Sequence, residues 1–317
     1  MSDGLAVGVS PRTIERLSGV PAPGVRWAVL SGTGKAADRC VTVLWRRQWD
    51  RTAWVTAAID DLPGLRWVHT DTAGVDRLPL AVLAERGILL TNARGAHTAA
   101  VAEWALGAML VAARQFDRTI TDAAQRRWSP HRGGLLLQGR TVMVLGLGDI
   151  GRHLARACAA LGMRVLGTSR SGRLVPGVEV SVSDGPWRER LGEVSFLVDC
   201  LPLTRQTRDL VDAALLSRLP ASAVLINVGR GETVVEADLC AAVRAGRLRG
   251  AVLDTVRTEP LPDDDQLWRC PGVLVSPHES GFCDQTEPRT RALFVEELTR
   301  HLDGRAPLNF VDLDRGY

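Results

Sequence analysis

The chain has 317 residues and a formal net charge of +3, with 45% hydrophobic and 24% charged residues. This length exceeds what one ordinary hydrophobic core organises, so we expect two domains. The basic residues are spread along the chain and form no block, which argues against a nucleic acid partner and against a membrane surface. No apolar run is long enough to span a membrane, and Met1–Gly4 does not lead into a signal peptide, so we expect a cytoplasmic protein.

Cysteine and lysine usage narrows the chemistry. The six cysteines are scattered without a metal-ligand spacing, which indicates free, mostly buried thiols in a reducing compartment and no metal site. The single lysine, Lys35, lies in a glycine-rich, loop-like stretch. A P-loop or Schiff-base mechanism therefore has almost no candidate residue.

The first part of the chain, up to about Ala96, alternates β-prone runs with helix-compatible segments and predicts a small α/β unit. One of its strands runs into the loop Ala73-Gly74-Val75. Taken alone, that loop fits a simple turn better than a ligand site, although parallel sheets bind ligands at such strand ends. The predicted strands span residues 25–30, 41–45, 67–70 and 88–91, and the predicted helices span 52–62 and 78–86.

An alanine-rich segment and a polar segment follow. Residues 97–114 predict a helix that is apolar on more than one face, which suggests burial between domains or between subunits. Residues 116–139 predict a linker.

The chain is organised around a glycine-rich turn at residues 146–151. An apolar run that starts at Thr141 enters this turn, and a pattern of helical period leaves it. Gly146 would permit the tight turn, Gly148 would let a phosphate approach the backbone, and Gly151 would let helix and strand pack closely. The helix N-terminus would offer N–H groups to an anion. The motif predicts a dinucleotide site, the alternative being three glycines that merely punctuate a loop.

The next predicted strand, residues 164–168, ends without the carboxylate that binds ribose hydroxyls in NAD sites. It is followed by serines and arginines that can bind a 2′-phosphate, so the sequence favours NADP(H) over NAD(H), with NAD(H) still possible. The alternative is a solvated loop in an arginine-rich protein. The residues concerned are Ser169, Arg170, Ser171 and Arg173.

The remaining pattern predicts a doubly wound parallel sheet. Its strands are expected at residues 194–200, 224–228, 251–254 and 273–276, separated by helical patterns. A last amphipathic helix, residues 284–302, is expected to return to the first domain.

From about Leu65 to this last helix, the chain resembles the D-isomer-specific 2-hydroxyacid dehydrogenases. Beyond Thr168, the Ser169-Arg170-Ser171 turn is similar to that of the NADPH-using glyoxylate/hydroxypyruvate reductase branch. The segments that carry the family resemblance, in the family's order, are Gly146-Leu-Gly-Asp-Ile-Gly151, Leu201-Pro-Leu-Thr-Arg-Gln-Thr207, Ile226-Asn-Val-Gly-Arg-Gly231 with Val234-Val-Glu-Ala-Asp-Leu239, Leu253-Asp-Thr-Val-Arg-Thr-Glu-Pro-Leu-Pro262, and Ser276-Pro-His278.

The resemblance implies an α/β fold of two Rossmann-like domains, a doubly wound cofactor domain and a smaller flavodoxin-like substrate domain. It places the substrate domain at residues 1–97 and 284–317 and the dinucleotide-binding domain at 98–283. It also implies NAD(P)H-dependent reduction of a small 2-keto acid to the D-2-hydroxy acid. We expect the protein to be a homodimer.

The resemblance further implies a catalytic trio. His278 would be the general acid, Glu259 would orient its ring and favour the charged form, and Arg230 would pair with the substrate carboxylate or carbonyl oxygen. Backbone N–H groups of Ala73, Gly74 and Val75 would complete carboxylate binding, and Asp254 would orient the nicotinamide amide. Besides the 169–173 group, the expected cofactor-binding residues are Gly146, Gly148, Asp149, Ile150, Gly151, Leu201, Pro202, Thr207, Val228, Gly229, Asp254 and Gly281.

The sequence also departs from the family pattern and leaves alternative functions open. Glu279 follows the histidine where the family usually has a small or apolar residue, and a carboxylate there can alter substrate choice.

A dimeric, nicotinamide-sensing module like the co-repressors that share this fold would keep the same trio with little turnover. Formate oxidation is disfavoured by Glu259, and phosphite oxidation by the absence of a lysine in the 72–75 loop. The role of His97 is undecided.

Overall fold

The computed structural model describes residues 4–15, 17, 24–37, 39–47, 50–130 and 133–316. The chain divides into two compact units, Met1–His97 with Cys283–Tyr317, and Thr98–Phe282. No helix within the described ranges combines the length and the apolar character needed to cross a bilayer.

The first unit begins with five short strands and three helices in alternation. These elements are β1 (Leu5–Val9), α1 (Pro11–Ile14), β2 (Val25–Val29), β3 (Val43–Arg46), α2 (Thr52–Asp61), β4 (Trp67–Thr70), α3 (Leu80–Glu85) and β5 (Leu89–Asn92).

The five strands form one parallel sheet in the order β2-β1-β3-β4-β5, which is the flavodoxin-like order. Every residue of β3 and β4 is buried, as expected of inner parallel strands covered on both faces. The predicted strands of this unit are confirmed with small changes in their bounds. β1 was not predicted.

The second unit contains seven more strands, and α9 then returns the chain to the first unit. The elements are α4 (Thr98–Arg114), α5 (Phe116–Ala124), β6 (Thr141–Leu145), α6 (Asp149–Ala160), β7 (Arg164–Ser169), β8 (Val178–Val182), β9 (Phe196–Asp199), α7 (Ala213–Leu216), β10 (Val224–Asn227), α8 (Glu236–Arg244), β11 (Gly250–Leu253), β12 (Val273–Val275) and α9 (Thr286–Leu302).

The seven strands form a parallel sheet in the order β12-β11-β10-β9-β6-β7-β8. The strand order reverses between β6 and β9, and ligands of such sheets bind outside the carboxyl ends of the strands at this point. The predicted doubly wound α/β class is therefore confirmed.

The prediction of a linker over residues 116–139 is wrong for its first part, which forms α5. The segment misled because its apolar side chains do not face a core: Phe116 is 46% exposed, Ile120 is 67% exposed, and only Asp122 of this helix is buried. The helix is amphipathic but short, and its few apolar residues alternate with charged and polar ones, so its composition is similar to that of a linker. By contrast, α4 buries Val101 and Met109 in the core that it shares with α6.

An aromatic cluster explains why the C-terminal helix belongs to the first unit. Phe294 of α9 is fully buried and stacks on Trp45 of β3, with ring centroids 3.9 Å apart. Trp67 of β4 also stacks on Phe294, with ring centroids 5.9 Å apart. Burial of these aromatic rings together holds α9 against the sheet of the first unit.

Candidate active site

The glycine turn after β6 has the geometry that a pyrophosphate requires. Gly146 has φ +90°, and a Cβ on Gly151 would lie 2.1 Å from the Gly146 carbonyl oxygen, so strand and helix approach too closely for a side chain. A Cβ on Gly148 would meet no atom within 4 Å, which leaves open space over the turn. Helix α6 begins at Asp149, and the N–H groups of its first turn, including that of Ile150, have no intrahelical acceptors. These residues fit a dinucleotide.

The turn after β7 presents the predicted serines and arginines. Ser169 Oγ lies 3.2 Å from Ser171 Oγ, and the backbone N–H of Arg173 donates to Ser171 Oγ at 3.3 Å. Arg170 and Arg173 are exposed. The turn therefore combines hydroxyl groups with two cations at the strand end where a ribose 2′-substituent would bind.

The two other predicted cofactor segments follow β9 and β10. The Thr207 hydroxyl donates to the Pro202 carbonyl at 2.6 Å, so this side chain closes its own loop. The N–H of Leu201 donates to the Asp199 carboxylate at 2.9 Å, and the N–H of Val228 donates to the Asp199 carbonyl at 3.0 Å. A Cβ on Gly229 would lie 2.7 Å from the Leu201 carbonyl oxygen, so the two segments touch through their backbones.

The predicted catalytic residues follow three neighbouring strands. Arg230 follows β10, Glu259 follows β11, and His278 follows β12. His278 Nδ1 lies 3.0 and 3.1 Å from the two carboxylate oxygens of Glu259. The histidine side chain is 40% exposed, whereas that of Glu259 is 15% exposed. Nδ1 is thus committed to the carboxylate, and Nε2 is the ring nitrogen left for a substrate.

Asp254, at the end of β11, holds the segment that carries His278. Its fully buried carboxylate accepts hydrogen bonds from Ser276 Oγ at 2.6 Å, from the N–H of Glu279 at 2.8 Å and from the N–H of Ser280 at 3.0 Å. Its carbonyl accepts from the N–H of His278 at 2.9 Å. These bonds hold His278 at φ +54°, a conformation uncommon for a residue other than glycine. That Asp254 also orients the nicotinamide amide stays a prediction.

The segment after the histidine contains the unusual carboxylate. Glu279 is exposed, and Gly281 lies two residues beyond it, still within the second unit. The side chain of Glu279 is therefore exposed, next to His278 in the sequence, while its backbone N–H is held by the Asp254 carboxylate.

A close approach of two backbones brings the Arg230 segment against the Glu259 segment. A Cβ on Gly231 would lie 1.9 Å from the carbonyl carbon of Val256, which only glycine avoids. The N–H of Val256 in turn points to Glu259 Oε1 at 3.4 Å. All three members of the predicted trio thus follow the carboxyl ends of neighbouring strands of the sheet.

In the first unit, the loop after β4 offers unused N–H groups. Within the part of the chain that the structure describes, the N–H groups of Ala73, Gly74 and Val75 donate to no protein atom. The carbonyls of the loop are fixed, since Thr72 Oγ1 donates to Gly74 at 2.8 Å and Asn92 Nδ2 donates to Ala73 at 2.7 Å. Such a row of backbone donors suits a carboxylate.

Sequence reasoning missed the residue that supports this loop. Arg46, 9% exposed, donates through Nη1 to the hydroxyl oxygens of Thr70 and Thr72, both at 3.0 Å, and through Nη2 to the carbonyl of Asp50 at 3.2 Å. Burial lowers the pKa of Arg46 from its ordinary value, opposed by Asp50. An arginine at the end of a β-prone run was the one available signal.

The undecided histidine lies near the same loop. His97 Nε2 donates to the Asp71 carbonyl at 2.7 Å, and Trp45 Nε1 donates to the Asp71 carboxylate at 2.8 Å. The fully buried Arg47 forms an ion pair with that carboxylate. The hydrogen bond from His97 Nε2 to the Asp71 carbonyl is thus a structural contact within the first unit.

Comparison with known proteins identifies the family. Residues 106–280 match the family model described as D-isomer specific 2-hydroxyacid dehydrogenase, NAD binding domain. The chain belongs to this family. It is 31% identical over 255 residues to a glyoxylate reductase of Korarchaeum cryptofilum. The matched region covers 79% of this chain and 77% of that protein.

Solved structures agree over nearly the whole chain. A D-isomer specific 2-hydroxyacid dehydrogenase family protein from Aeromonas salmonicida superposes with a TM-score of 0.84 at 32% identity, covering 99% of this chain and all of the other. An NADPH-dependent glyoxylate/hydroxypyruvate reductase from Sinorhizobium meliloti, in complex with NADP and malonate, gives 0.83 at 28% identity, covering 99% and 98%. The predicted family and fold are confirmed, and the protein is a dehydrogenase that uses a nicotinamide cofactor.

Proposed function

We propose that this enzyme reduces a small 2-keto acid, with glyoxylate and hydroxypyruvate as reference substrates, to the D-2-hydroxy acid. The observation that carries the proposal is the pairing of His278 with Glu259 on the strand ends next to Arg230. Similar proteins are named as glyoxylate reductases and as glyoxylate/hydroxypyruvate reductases, which favours turnover over a purely nucleotide-sensing role.

Each proposed role follows from the chemistry of the side chain. The Gly146–Gly151 turn would hold a nicotinamide dinucleotide, which would supply the hydride. His278 delivers a proton from Nε2 to the carbonyl oxygen, and Glu259 at Nδ1 stabilises the charged ring before that transfer. Arg230 binds the carboxylate or the carbonyl oxygen through its planar donor fork. The N–H groups of Ala73, Gly74 and Val75 are the proposed carboxylate donors of the first unit.

We propose NADP(H) as the preferred cofactor, with NAD(H) as a weaker alternative. Support comes from the hydroxyls and cations of the turn after β7, which lacks the carboxylate of NAD sites. Arg170→Asp should lower kcat/KM for NADPH about tenfold or more and change kcat/KM for NADH much less, because one charge-assisted bond to the 2′-phosphate is replaced by repulsion. Equal losses with both cofactors would contradict this preference.

The direct test is a panel of 2-keto acids assayed with NADPH and with NADH. We expect NADPH oxidation with at least one small 2-keto acid. His278→Asn should abolish most of it, whereas His153→Asn, at an exposed histidine of α6, should not. If no 2-keto acid supports NADPH oxidation and His278→Asn behaves as the unaltered enzyme does, the proposed function is wrong.

We propose a homodimer that uses the exposed apolar side chains around α5. Leu110, Phe116 and Ile120 are 37%, 46% and 67% exposed, and Trp128 is 99% exposed. Exposed apolar side chains of this kind suit burial against a second copy. Light scattering should give twice the chain mass, and Ile120→Glu with Trp128→Glu should give the monomer. A monomeric unaltered protein would remove this proposal.

We also propose a cytoplasmic location. Cys158, Cys240 and Cys270 are buried free thiols, which suits a reducing compartment. Fractionation of cells that express the protein checks this directly, and recovery in an oxidising compartment would contradict it.

A further inference from the structure

A buried carboxyl group lies between two loops at the cofactor edge of the second unit. Asp199 ends β9 and is 0% exposed. One carboxyl oxygen, Oδ1, accepts from the N–H of Leu201 at 2.9 Å. The other, Oδ2, is in short contact with the hydroxyl of Thr233, in the turn that follows Arg230. Asp199 thus links a cofactor loop to the loop of the substrate arginine.

No described basic side chain compensates this buried group. Its hydrogen-bond partners are the Thr233 hydroxyl and the Leu201 N–H, and the only titratable group described as interacting with it is the thiol of Cys200. Burial raises the pKa of Asp199 to about 6, against the opposing effect of the two hydrogen bonds. The protonated form is therefore accessible near neutral pH.

The hydrogen bonds of Thr233 constrain where that proton lies. Its Oγ1 contacts Asp199 Oδ2 and also lies 2.6 Å from the carbonyl oxygen of Arg230. A hydroxyl has one hydrogen and can donate to only one of these oxygens. Both contacts are hydrogen bonds only when Asp199 is protonated and donates to Thr233, which then donates to Arg230. Two N–H donors also reach that carbonyl, Asn227 Nδ2 at 3.0 Å and the backbone of Thr233 at 3.2 Å.

We propose that Asp199 is a positioning residue for Arg230, acting through a hydrogen-bond chain in which the Asp199 carboxyl donates to the Thr233 hydroxyl and that hydroxyl donates to the Arg230 carbonyl. When Asp199 releases its proton to solvent, the Thr233 hydroxyl turns to the carboxylate. The Arg230 carbonyl then keeps only its two N–H donors, and the loop is less firmly held. The inference rests on the proposed function in that Arg230 is taken to bind the 2-keto acid.

Substitutions that keep or break the chain test it. Asp199→Asn can accept from Leu201 and donate permanently to Thr233, so it should act as the protonated form at every pH. For the unaltered enzyme, the KM for the 2-keto acid should rise about two- to tenfold as pH rises through 6, with little change in the KM for NADPH. Asp199→Asn should remove this rise. Thr233→Val should give the high KM at all pH values, and Thr233→Ser should restore the low one.

The contradicting results are equally defined. A pH-dependent KM that persists in Asp199→Asn, or a Thr233→Val enzyme with unaltered KM, would overturn the inference. If the protein reduces no 2-keto acid, amide hydrogen exchange of the peptide around residues 230–234, compared at one acidic pH, decides the question without turnover. Faster exchange in Thr233→Val but not in Asp199→Asn supports the chain, and equal exchange in both variants and the unaltered protein overturns it.

Discussion

The two loops proposed to bind the substrate carboxylate, Thr72–Val75 in the first unit and Arg230–Thr233 in the second, are both held by a buried polar group. In the first, Arg46 donates directly to the hydroxyls of Thr70 and Thr72. In the second, Asp199 reaches the Arg230 backbone through the Thr233 hydroxyl. One support is a cation and the other a carboxyl group.

This difference in chemistry should give the two loops different responses to pH. An arginine keeps its charge across the range in which proteins function, so the Arg46 contacts do not change with pH. A carboxyl group buried without a cation exchanges its proton near neutrality. We therefore expect the backbone donors of Ala73–Val75 to stay in place while the anchoring of Arg230 varies.

The largest effect should come from removing the Arg230 side chain, because the first loop offers only backbone donors. An arginine paired with a carboxylate out of water contributes about 2–5 kcal/mol. Arg230→Gln should therefore lower kcat/KM for the 2-keto acid by roughly 30- to 5,000-fold. Steady-state kinetics measures this, with Arg247→Gln, at an exposed arginine, as the control. Full activity in Arg230→Gln would mean that the first loop binds the carboxylate alone.

A smaller effect is expected on stability, and it isolates the carboxyl support. The pKa of Asp199 is raised from 3.8 to about 6, so between these values the folded protein binds more protons than the unfolded chain. The contribution of Asp199 to the free energy of unfolding should then be largest below about pH 4 and fall by up to about 3 kcal/mol as pH rises through 6. Denaturant titrations at several pH values should show this fall reduced in Asp199→Asn. The exposed Asp184→Asn is the control, and an unchanged fall in Asp199→Asn would refute the assignment.

The smallest effect should follow the loss of the cationic support. Arg46→Gln removes two hydrogen bonds to hydroxyls, so we expect the KM for the 2-keto acid to rise about tenfold with kcat little changed. The ratio between variant and unaltered enzyme should be the same at pH 5.5 and at pH 8. Arg51→Gln, at an exposed arginine, should leave KM unaltered. A ratio that depends on pH would erase the contrast between the two loops.

Local patterns sufficed for the sheet and the dinucleotide turn, because glycine spacing and apolar runs are properties of neighbouring residues. Strands β1 and β8 and helix α5 were not predicted. Gly8 weakens the β-prone pattern of β1, β8 is only partly buried and contains Glu179, and α5 has no buried apolar stripe. Motif resemblance supplied Arg230, Glu259 and His278, and the structure adds the contact between the last two.

The supporting residues could not be predicted. Arg46 depends on two threonines more than twenty positions away, and Asp199 depends on Thr233, 34 positions away. Nothing in the sequence around either residue indicates such partners. Only the parallel arrangement of the strands brings them together.

The most direct test of the account follows the reducing hydrogen. Hydroxypyruvate should be incubated with the enzyme and NADPH that carries deuterium at C4 of the nicotinamide, and the product analysed by mass spectrometry and chiral chromatography. We predict D-glycerate with deuterium on C2. Absence of reduction of hydroxypyruvate and of every other 2-keto acid in the panel, deuterium found elsewhere in the product, or the L-product would contradict the account.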